Sequence, residues 1–252
     1  MKTTVNGQII NYEQLGQGDD LIILHGWGYD ISLLMPFARI LADSYRITLA
    51  DMPGHGGSPE PEKPITVYDY ANLVSGLMDN LKIESAYILG HSFGCRLAII
   101  LAAKEPRKVK KLVLCGAAGI RDRRGAKYYI RVYSYKCAKF FVKNFAPKKY
   151  DSWRKNRGSE DYRKLSDVMK ATFSNVVNED LTPLLSKIKA PVFLIWGEND
   201  TATPLYMADI MEKEIPDCAK VVYKNRTHYG FLEETPRTAA IVKTFFKEQK
   251  FF

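Results

Sequence analysis

The chain has 252 residues, of which 46% are hydrophobic and 26% are charged, and its formal net charge at pH 7 is +9. This length allows one large α/β domain with a sizeable core, and no stretch approaches the roughly 18 uninterrupted apolar residues of a transmembrane helix. Residues 1–7 lack the apolar segment of a signal peptide, so we expect a cytoplasmic protein. The four cysteines show no C-x-x-C spacing and no histidine cluster accompanies them, so neither a metal site nor a disulfide framework is expected.

The apolar runs and the turn signals between them predict alternating strands and helices. Strands are predicted at residues 2–5, 8–12, 21–24, 46–50, 86–89, 111–115, 191–196 and 220–223. Helices are predicted at residues 33–41, 66–81, 95–103 and 205–213, and a terminal helix is predicted to start at Thr235-Pro236. This alternation predicts an α/β protein with a mainly parallel, doubly wound sheet, whose sites lie at the carboxyl ends of strands.

The alternation breaks between the sixth and seventh predicted strands. Residues 121–185 contain many Lys, Arg, Tyr and Phe residues but no strand signal, so we interpret them as a helical insertion that lies over the sheet. Residues 1–120 and 186–252 would then form the core. The insertion holds 16 Lys and Arg against 7 Asp and Glu, whereas the rest of the chain holds 21 of each. The whole excess of positive charge therefore lies in the insertion.

A G-x-S-x-G motif, Gly-His-Ser-Phe-Gly at residues 90–94, joins a predicted strand to a predicted helix. A nucleophilic serine in such a motif must project from a strained turn, and the glycines before and after it leave room for the backbone to pass closely. The motif in this setting predicts that Ser92 is a nucleophile.

A nucleophilic serine needs a base, and the base needs a carboxylate that fixes its tautomer and stabilises its charged form. Of the four histidines, only His228 comes, along the chain, after a carboxylate that stands at the end of one of the last predicted strands. The order Ser92, Asp200, His228 is one of those in which such a triad occurs. Glu198 lies in the same loop as Asp200 and competes with it for this role, and Asp217, which follows a helix, is a weaker rival.

Other reactive side chains near these motifs are interpreted as structural. We expect His25 to brace the loop that follows the third strand, His91 to pack beside the serine, and His55 to be a turn residue. Cys95 follows the motif at the start of a helix, where a small buried hydrophobic residue is a better interpretation than a thiol nucleophile.

The sequence resembles the α/β-hydrolase superfamily over essentially its full length, through several separate motifs. They are His-Gly-Trp-Gly at 25–28, Asp-Met-Pro-Gly-His-Gly-Gly-Ser at 51–58, the Ser92 motif, Gly-Glu-Asn-Asp at 197–200, and His228. Within the superfamily it is similar to the capped serine esterases and carbon–carbon bond hydrolases, a group that includes pimeloyl-acyl carrier protein methyl ester esterase. One position departs from the usual pattern of this group, because Thr227 stands where a glycine usually precedes the catalytic histidine.

The resemblance implies a role for each residue of the site. Ser92 is implied as the nucleophile, Asp200 as the acid and His228 as the base, with no cofactor and no metal. The resemblance also implies an oxyanion hole formed by the backbone N–H groups of Trp27 and Phe93.

The resemblance further implies that residues 121–185 are a cap. The expected architecture is thus an α/β-hydrolase fold with a helical cap inserted after the sixth strand. Three interpretations of the basic, aromatic cap stay open: a lid whose charges are solvated, a surface that attracts an acidic substrate or an acyl carrier protein, and a surface that binds anionic membranes. No nucleic-acid partner is expected, because no reader motif accompanies the charge.

The sequence therefore predicts a cofactor-free serine hydrolase, a carboxylesterase that cleaves small or medium acyl esters through an acyl-enzyme on Ser92. An alternative on the same residues is hydrolysis of a carbon–carbon bond in a vinylogous diketone. An alternative of another class is a catalytically silent protein that binds a ligand with the same fold.

Overall fold

A computed structural model gives the fold of the chain and describes residues 1–121, residue 134 and residues 160–247. The strands in these ranges are β1 (Lys2–Val5), β2 (Gln8–Leu15), β3 (Asp19–Leu24), β4 (Tyr45–Asp51), β5 (Ala86–His91), β6 (Val109–Cys115), β7 (Val192–Gly197) and β8 (Cys218–Tyr223). The helices are α1 (Ile31–Leu41), α2 (Val67–Asn80), α3 (Phe93–Lys104), α4 (Glu160–Lys164), α5 (Asp167–Asn178), α6 (Thr182–Leu185), α7 (Tyr206–Glu214), α8 (Gly230–Glu233) and α9 (Thr235–Lys247). Within the described ranges, no helix is both long and apolar enough to cross a membrane.

The eight strands form one sheet in the order β1-β2-β4-β3-β5-β6-β7-β8. The pairs β1–β2 and β2–β4 are antiparallel, and the five remaining pairs are parallel. Between β1 and β2, Asn6 and Gly7 both have positive φ angles, 48° and 79°, as the twisted two-residue turn of a hairpin requires. The α/β class and the mainly parallel sheet predicted from the sequence are confirmed.

Helices cover both faces of the sheet, which explains why its central strands are continuously apolar. Ile22 and Leu24 of β3 belong to a core that includes α2, α3 and α7, whereas Leu21 and Ile23 belong to a core that includes α1 and α9. This arrangement is the doubly wound architecture expected from the alternation of strands and helices.

The helix at the serine motif begins earlier than the sequence predicts, and one short helix is not predicted at all. Helix α3 begins at Phe93, directly after the motif serine, so Gly94 lies inside its first turn. No sequence pattern predicts α8, because a helix of four residues is too short to show a hydrophobic period.

The parallel strands place the loops that carry the predicted site residues at one edge of the sheet. The carboxyl ends of β3, β5, β6, β7 and β8 lead into the segments 25–30, 92, 116–119, 198–205 and 224–229. Residues far apart in the chain are thereby brought next to one another.

The end of the predicted insertion returns to the point where the insertion begins. The Leu181 N–H donates a hydrogen bond of 2.8 Å to the carbonyl oxygen of Gly119. Helix α5 lies against the segment that follows β4, where the Ile65 N–H donates to Thr172 Oγ1 at 3.2 Å. Residues 122–133 and 135–159 lie outside the described residues, so the boundaries of the cap stay a prediction.

Candidate active site

Ser92 occupies a strained turn between β5 and α3. Its backbone has φ +51° and ψ −108°, a conformation that non-glycine residues adopt only at a cost in free energy. The flanking glycines make the turn possible, since a Cβ atom on Gly94 would lie 2.3 Å from the carbonyl oxygen of Leu24, and one on Gly90 would lie 2.8 Å from the nitrogen of Cys95. The strand, strained turn and helix expected of a G-x-S-x-G motif are all present.

Asp200 and His228 form a direct pair in the loops after β7 and β8. His228 Nδ1 lies 2.7 Å from Asp200 Oδ2. The carboxylate is also held by Thr203, whose hydroxyl donates to Oδ2 at 2.8 Å and whose N–H donates to Oδ1 at 2.8 Å, and by the Ala202 N–H at 2.9 Å. Asp200 is therefore held by the N–H and hydroxyl groups of its own loop and directs one oxygen at His228.

These hydrogen bonds favour the ionised form of Asp200. Burial alone would raise the pKa of the Asp200 carboxyl, but hydrogen bonds from His228 and Thr203 outweigh it, and the pKa is lowered from its usual value. An ionised carboxylate only accepts hydrogen bonds, so Nδ1 of His228 carries the proton. With the proton on Nδ1, a neutral ring has its Nε2 lone pair available to accept a proton.

Gly116, the residue that follows β6, makes room for this pair. It has φ +50°, and a Cβ atom there would lie 3.0 Å from Nδ1 of His228 and 3.2 Å from Oδ2 of Asp200. The residue just before it, Cys115, accepts the Ser92 N–H through its carbonyl oxygen at 3.0 Å. The turn after β6 thus touches both Ser92 and the Asp200–His228 pair.

The loop after β3 lies against Ser92. A Cβ atom on Gly26 would be 3.4 Å from Cβ of Ser92. His25 holds this loop in place, since its Nδ1 donates to the carbonyl oxygen of Gly26 at 2.8 Å and its Nε2 accepts the Met52 N–H at 3.0 Å. The prediction that His25 braces this loop is confirmed, and both of its ring nitrogens are occupied.

Trp27, whose N–H is implied as an oxyanion donor, carries a side chain that packs into an aromatic cluster. Its ring centroid lies 5.4 Å from that of Phe93, 4.8 Å from His55, 6.3 Å from Tyr70 and 5.2 Å from Phe173 of α5. Phe93 is the first residue of α3, and the N–H groups in the first turn of a helix have no acceptor within the helix. The cluster fixes the side chains of the two residues whose N–H groups are the predicted donors.

The structure separates Asp200 from its two rivals. Glu198 is exposed, and its Oε2 accepts the Asn225 N–H at 2.9 Å. Asp217 directly precedes β8, so it lies at the opposite end of that strand from the loop that holds His228. Of the three candidates, Asp200 is the one that contacts the histidine.

Thr227 stands directly before His228, where a glycine is usual. Its φ angle is not among the positive values in the described chain, so the backbone at this point does not require glycine. Its hydroxyl donates a hydrogen bond to Glu233 Oε1, and its N–H donates to Glu233 Oε2 at 3.2 Å. The departure from the usual pattern therefore adds an anchor between the histidine loop and α8.

Cys95 and His55 are both buried. Cys95 is completely inaccessible, and burial raises the pKa of its thiol, which disfavours the reactive thiolate. Burial also lowers the pKa of His55 to about 4. The interpretation of Cys95 as a small buried hydrophobic residue is confirmed.

Sequence reasoning missed three residues that shape the site. Thr203 follows Asp200 by three residues. At this spacing a hydroxyl can donate a hydrogen bond to the carboxylate, so the spacing could have indicated the role of Thr203. Gly116 ends a predicted strand, but nothing in the sequence shows which side chains its turn faces. Phe173 contacts Trp27 from 146 positions further along the chain, so no local pattern could have identified it.

These groups can perform nucleophilic acyl chemistry. They comprise a serine on a strained turn, an imidazole oriented by a carboxylate, and N–H groups at the start of a helix. Within the described residues, no group of three or more His, Cys, Asp or Glu side chains is placed to hold a metal ion.

Comparison with known proteins agrees with this geometry. The family model described as alpha/beta hydrolase fold matches residues 20–148, and one described as TAP-like protein matches residues 171–251. A pimeloyl-[acyl-carrier protein] methyl ester esterase of Legionella pneumophila (strain Corby) is 26% identical, with 94% of this chain and 99% of that protein covered. A 2-hydroxy-6-oxo-6-phenylhexa-2,4-dienoate hydrolase of Comamonas testosteroni is 25% identical, with 96% and 92% covered.

Solved structures show the same fold. The enol-lactonase from Burkholderia xenovorans LB400 superimposes with a TM-score of 0.76 at 22% identity, covering 98% of this chain and all of that one. MGS-M2, an alpha/beta hydrolase from a deep-sea metagenome library, superimposes with a TM-score of 0.79 at 20% identity, covering 100% and 99%. The family match, the sheet order and these relatives together establish that the chain belongs to the α/β-hydrolase family and is a hydrolase.

Proposed function

We propose that this hydrolase is a serine carboxylesterase that cleaves small or medium acyl esters through an acyl-enzyme on Ser92. The observation on which the proposal chiefly rests is the 2.7 Å contact between His228 Nδ1 and Asp200 Oδ2, in loops adjacent to the strained turn of Ser92. That contact leaves Nε2 of His228 as the proton acceptor.

In the proposed reaction, Ser92 Oγ attacks the ester carbonyl carbon while Nε2 of His228 takes the hydroxyl proton. The N–H groups of Trp27 and Phe93 stabilise the oxyanion, and each such donor lowers the barrier by about 3–4 kcal/mol. The C–O bond then breaks as His228 gives its proton to the departing alcohol, which leaves the acyl group on Ser92. Water, deprotonated by the same histidine, attacks the acyl-enzyme and releases the acid and the free serine.

The preference for esters is supported by the relatives with the name pimeloyl-[acyl-carrier protein] methyl ester esterase. Such a substrate would place an acidic carrier protein near the basic insertion, residues 121–185. We therefore propose an acyl carrier protein as a partner and residues 121–185 as the cap that receives it. The cytoplasmic location stays a prediction of the sequence.

Hydrolysis of a carbon–carbon bond is the second candidate activity. It is favoured by relatives of similar identity, among them the 2-hydroxy-6-oxononadienedioate/2-hydroxy-6-oxononatrienedioate hydrolase 2 of Pseudomonas putida. The same serine and histidine would act in both reactions, so the substrate alone distinguishes them.

The test compares kcat/KM for four substrates under one set of conditions. They are p-nitrophenyl butyrate, a free dimethyl dicarboxylate, the monomethyl ester of the same dicarboxylic acid attached to acyl carrier protein, and a vinylogous diketone with a 2-hydroxy-6-oxo-dienoate core. The proposal predicts that kcat/KM is highest for the carrier-bound ester and lowest for the diketone. Faster cleavage of the diketone would make the second candidate the function. Binding of these compounds without turnover by the wild type would favour a silent ligand-binding protein.

A further inference from the structure

His91 is next to Ser92 in the chain and contacts His228, but it has no part in the mechanism proposed above. It directly precedes Ser92, and its side chain is completely buried. Its ring packs against three rings of the loop and helix that follow β8: the centroids of His228, Tyr229 and Phe231 lie 4.8, 5.3 and 4.8 Å away. The ring of His91 therefore lies directly against the residue that acts as base.

One hydrogen bond joins His91 to the base, and it involves the main chain rather than the ring. Nε2 of His91 lies 3.2 Å from the carbonyl oxygen of His228. A carbonyl oxygen only accepts, so the proton of the His91 ring is on Nε2. The ring of His228 keeps its own bond to Asp200.

The other nitrogen of His91 indicates that the ring is neutral. Nδ1 is buried and has no hydrogen-bond partner in the described part of the chain, and a Cβ atom on Gly26 would lie 3.1 Å from it. A proton on Nδ1 would be a buried donor with no acceptor. Burial and the charge of the neighbouring His228 lower the pKa of His91 to about 3, although the hydrogen bond to the His228 carbonyl and the charge of Asp200 oppose this shift.

His228 is held at two points by these contacts. Its ring is fixed by Asp200, and its main chain is fixed by the residue next to the nucleophile. The loop that contains His228 connects β8 to α8 and belongs to neither. Proton transfer between Ser92 and His228 depends on sub-ångström placement, and the bond from His91 links the residue next to Ser92 to the main chain of His228.

We propose that His91 is a positioning residue, which as a neutral Nε2–H donor fixes the main chain of His228 relative to Ser92. The inference rests on the proposed function, since it assigns His91 to the proton transfer of that reaction.

The variants His91→Gln and His91→Asn test this role as a matched pair. Both place an amide in the same buried position, but the glutamine side chain is one methylene longer and reaches toward the site of Nε2, whereas asparagine falls short. We expect His91→Asn to lower kcat for p-nitrophenyl butyrate by about 10-fold to 10²-fold with KM within about twofold of wild type. His91→Gln should recover most of the loss, and the melting temperatures of the two variants should agree.

Equal losses in both variants, or a loss that follows the melting temperature, would show that His91 only fills space. Unchanged kcat in His91→Asn would overturn the inference. The proposed function would still stand in that case if a fluorophosphonate labels Ser92 in the wild type.

A second measurement does not depend on activity. In the ¹⁵N-labelled wild-type protein, the imidazole nitrogen shifts of His91 should show a neutral ring protonated at Nε2 from pH 5 to pH 8. A ring protonated at Nδ1, or one that titrates within that range, would contradict the proposed hydrogen bond whatever the substrate of the enzyme is.

Discussion

Asp200 and Glu198 stand two residues apart in the loop after β7, and their contacts differ completely. Asp200 contacts Nδ1 of His228, whereas Glu198 accepts a backbone N–H of Asn225 at the surface. We predict that Asp200→Asn lowers kcat by about 10⁴-fold, because an amide at this position favours the wrong tautomer of the base. Hydrolysis of p-nitrophenyl butyrate measures the effect.

Glu198→Gln is the matched control for this substitution, since it also replaces a carboxylate by an amide in the same loop. It should keep kcat within about twofold of wild type, as expected for an exposed side chain. If Glu198→Gln were the slower of the two variants, the assignment of Asp200 would be wrong.

At the scale of single residues, the sequence indicates candidate site residues but not the side chains that surround them. Ser92, Asp200 and His228 were predicted because their residue types, their motif and their order along the chain are restricted by the chemistry. Thr203 and Gly116 could not be assigned in the same way, because their importance depends on which side chains lie opposite them in the folded chain.

The turns at the carboxyl ends of the strands leave little space around the site, and the turn after β6 shows this most directly. We predict that Gly116→Ala lowers kcat by about 10-fold to 10²-fold, because the added methyl group would lie 3.0 Å from Nδ1 of His228 and would displace the ring. The same ester assay, together with a thermal melt, measures the result.

Gly7→Ala separates this steric effect from backbone strain. Gly7 also has a positive φ, of 79°, but a Cβ atom there would have nothing within 4 Å. Both variants should lose about 1–2 kcal/mol of stability from the left-handed backbone, and only Gly116→Ala should lose activity. Full activity in Gly116→Ala would contradict the described position of His228.

The elements of the sheet were more predictable than the helices that cover the site. Apolar runs such as residues 21–24 and 111–115 identify buried strands, because both faces of a central strand contact helices. The placement of α5 over Trp27 depends on contacts such as Ile65 with Thr172, which are 107 positions apart. A local pattern predicts that such a segment is helical but not what it covers.

At the scale of the whole molecule, buried histidines make stability depend on pH. Burial lowers the pKa of His25, of His55 to about 4 and of His91 to about 3, whereas in the unfolded chain each has a pKa near 6.5. Below pH 6.5 the unfolded chain therefore binds protons that the folded chain does not. We predict that the free energy of unfolding falls from pH 6 to pH 5 by up to about 1.4 kcal/mol for each of His55 and His91, and that His25 contributes in the same direction.

Urea unfolding at several pH values measures this slope, and His55→Asn isolates one histidine. The asparagine amide can replace Nδ1 of His55 as donor to the carbonyl oxygen of Pro53 without titrating. The variant should show a smaller slope by up to about 1.4 kcal/mol per pH unit. An identical slope in wild type and variant would mean that His55 is protonated in the folded protein.

The most direct test of the proposed site is labelling by a fluorophosphonate probe, measured by intact mass in wild type and in Ser92→Ala. The probe reacts with an activated serine, so the proposed site predicts one adduct per chain in the wild type, on Ser92, and none in Ser92→Ala. Labelling of both proteins to the same extent would place the reactive group elsewhere. An unlabelled wild type would contradict a nucleophile activated by His228 and Asp200.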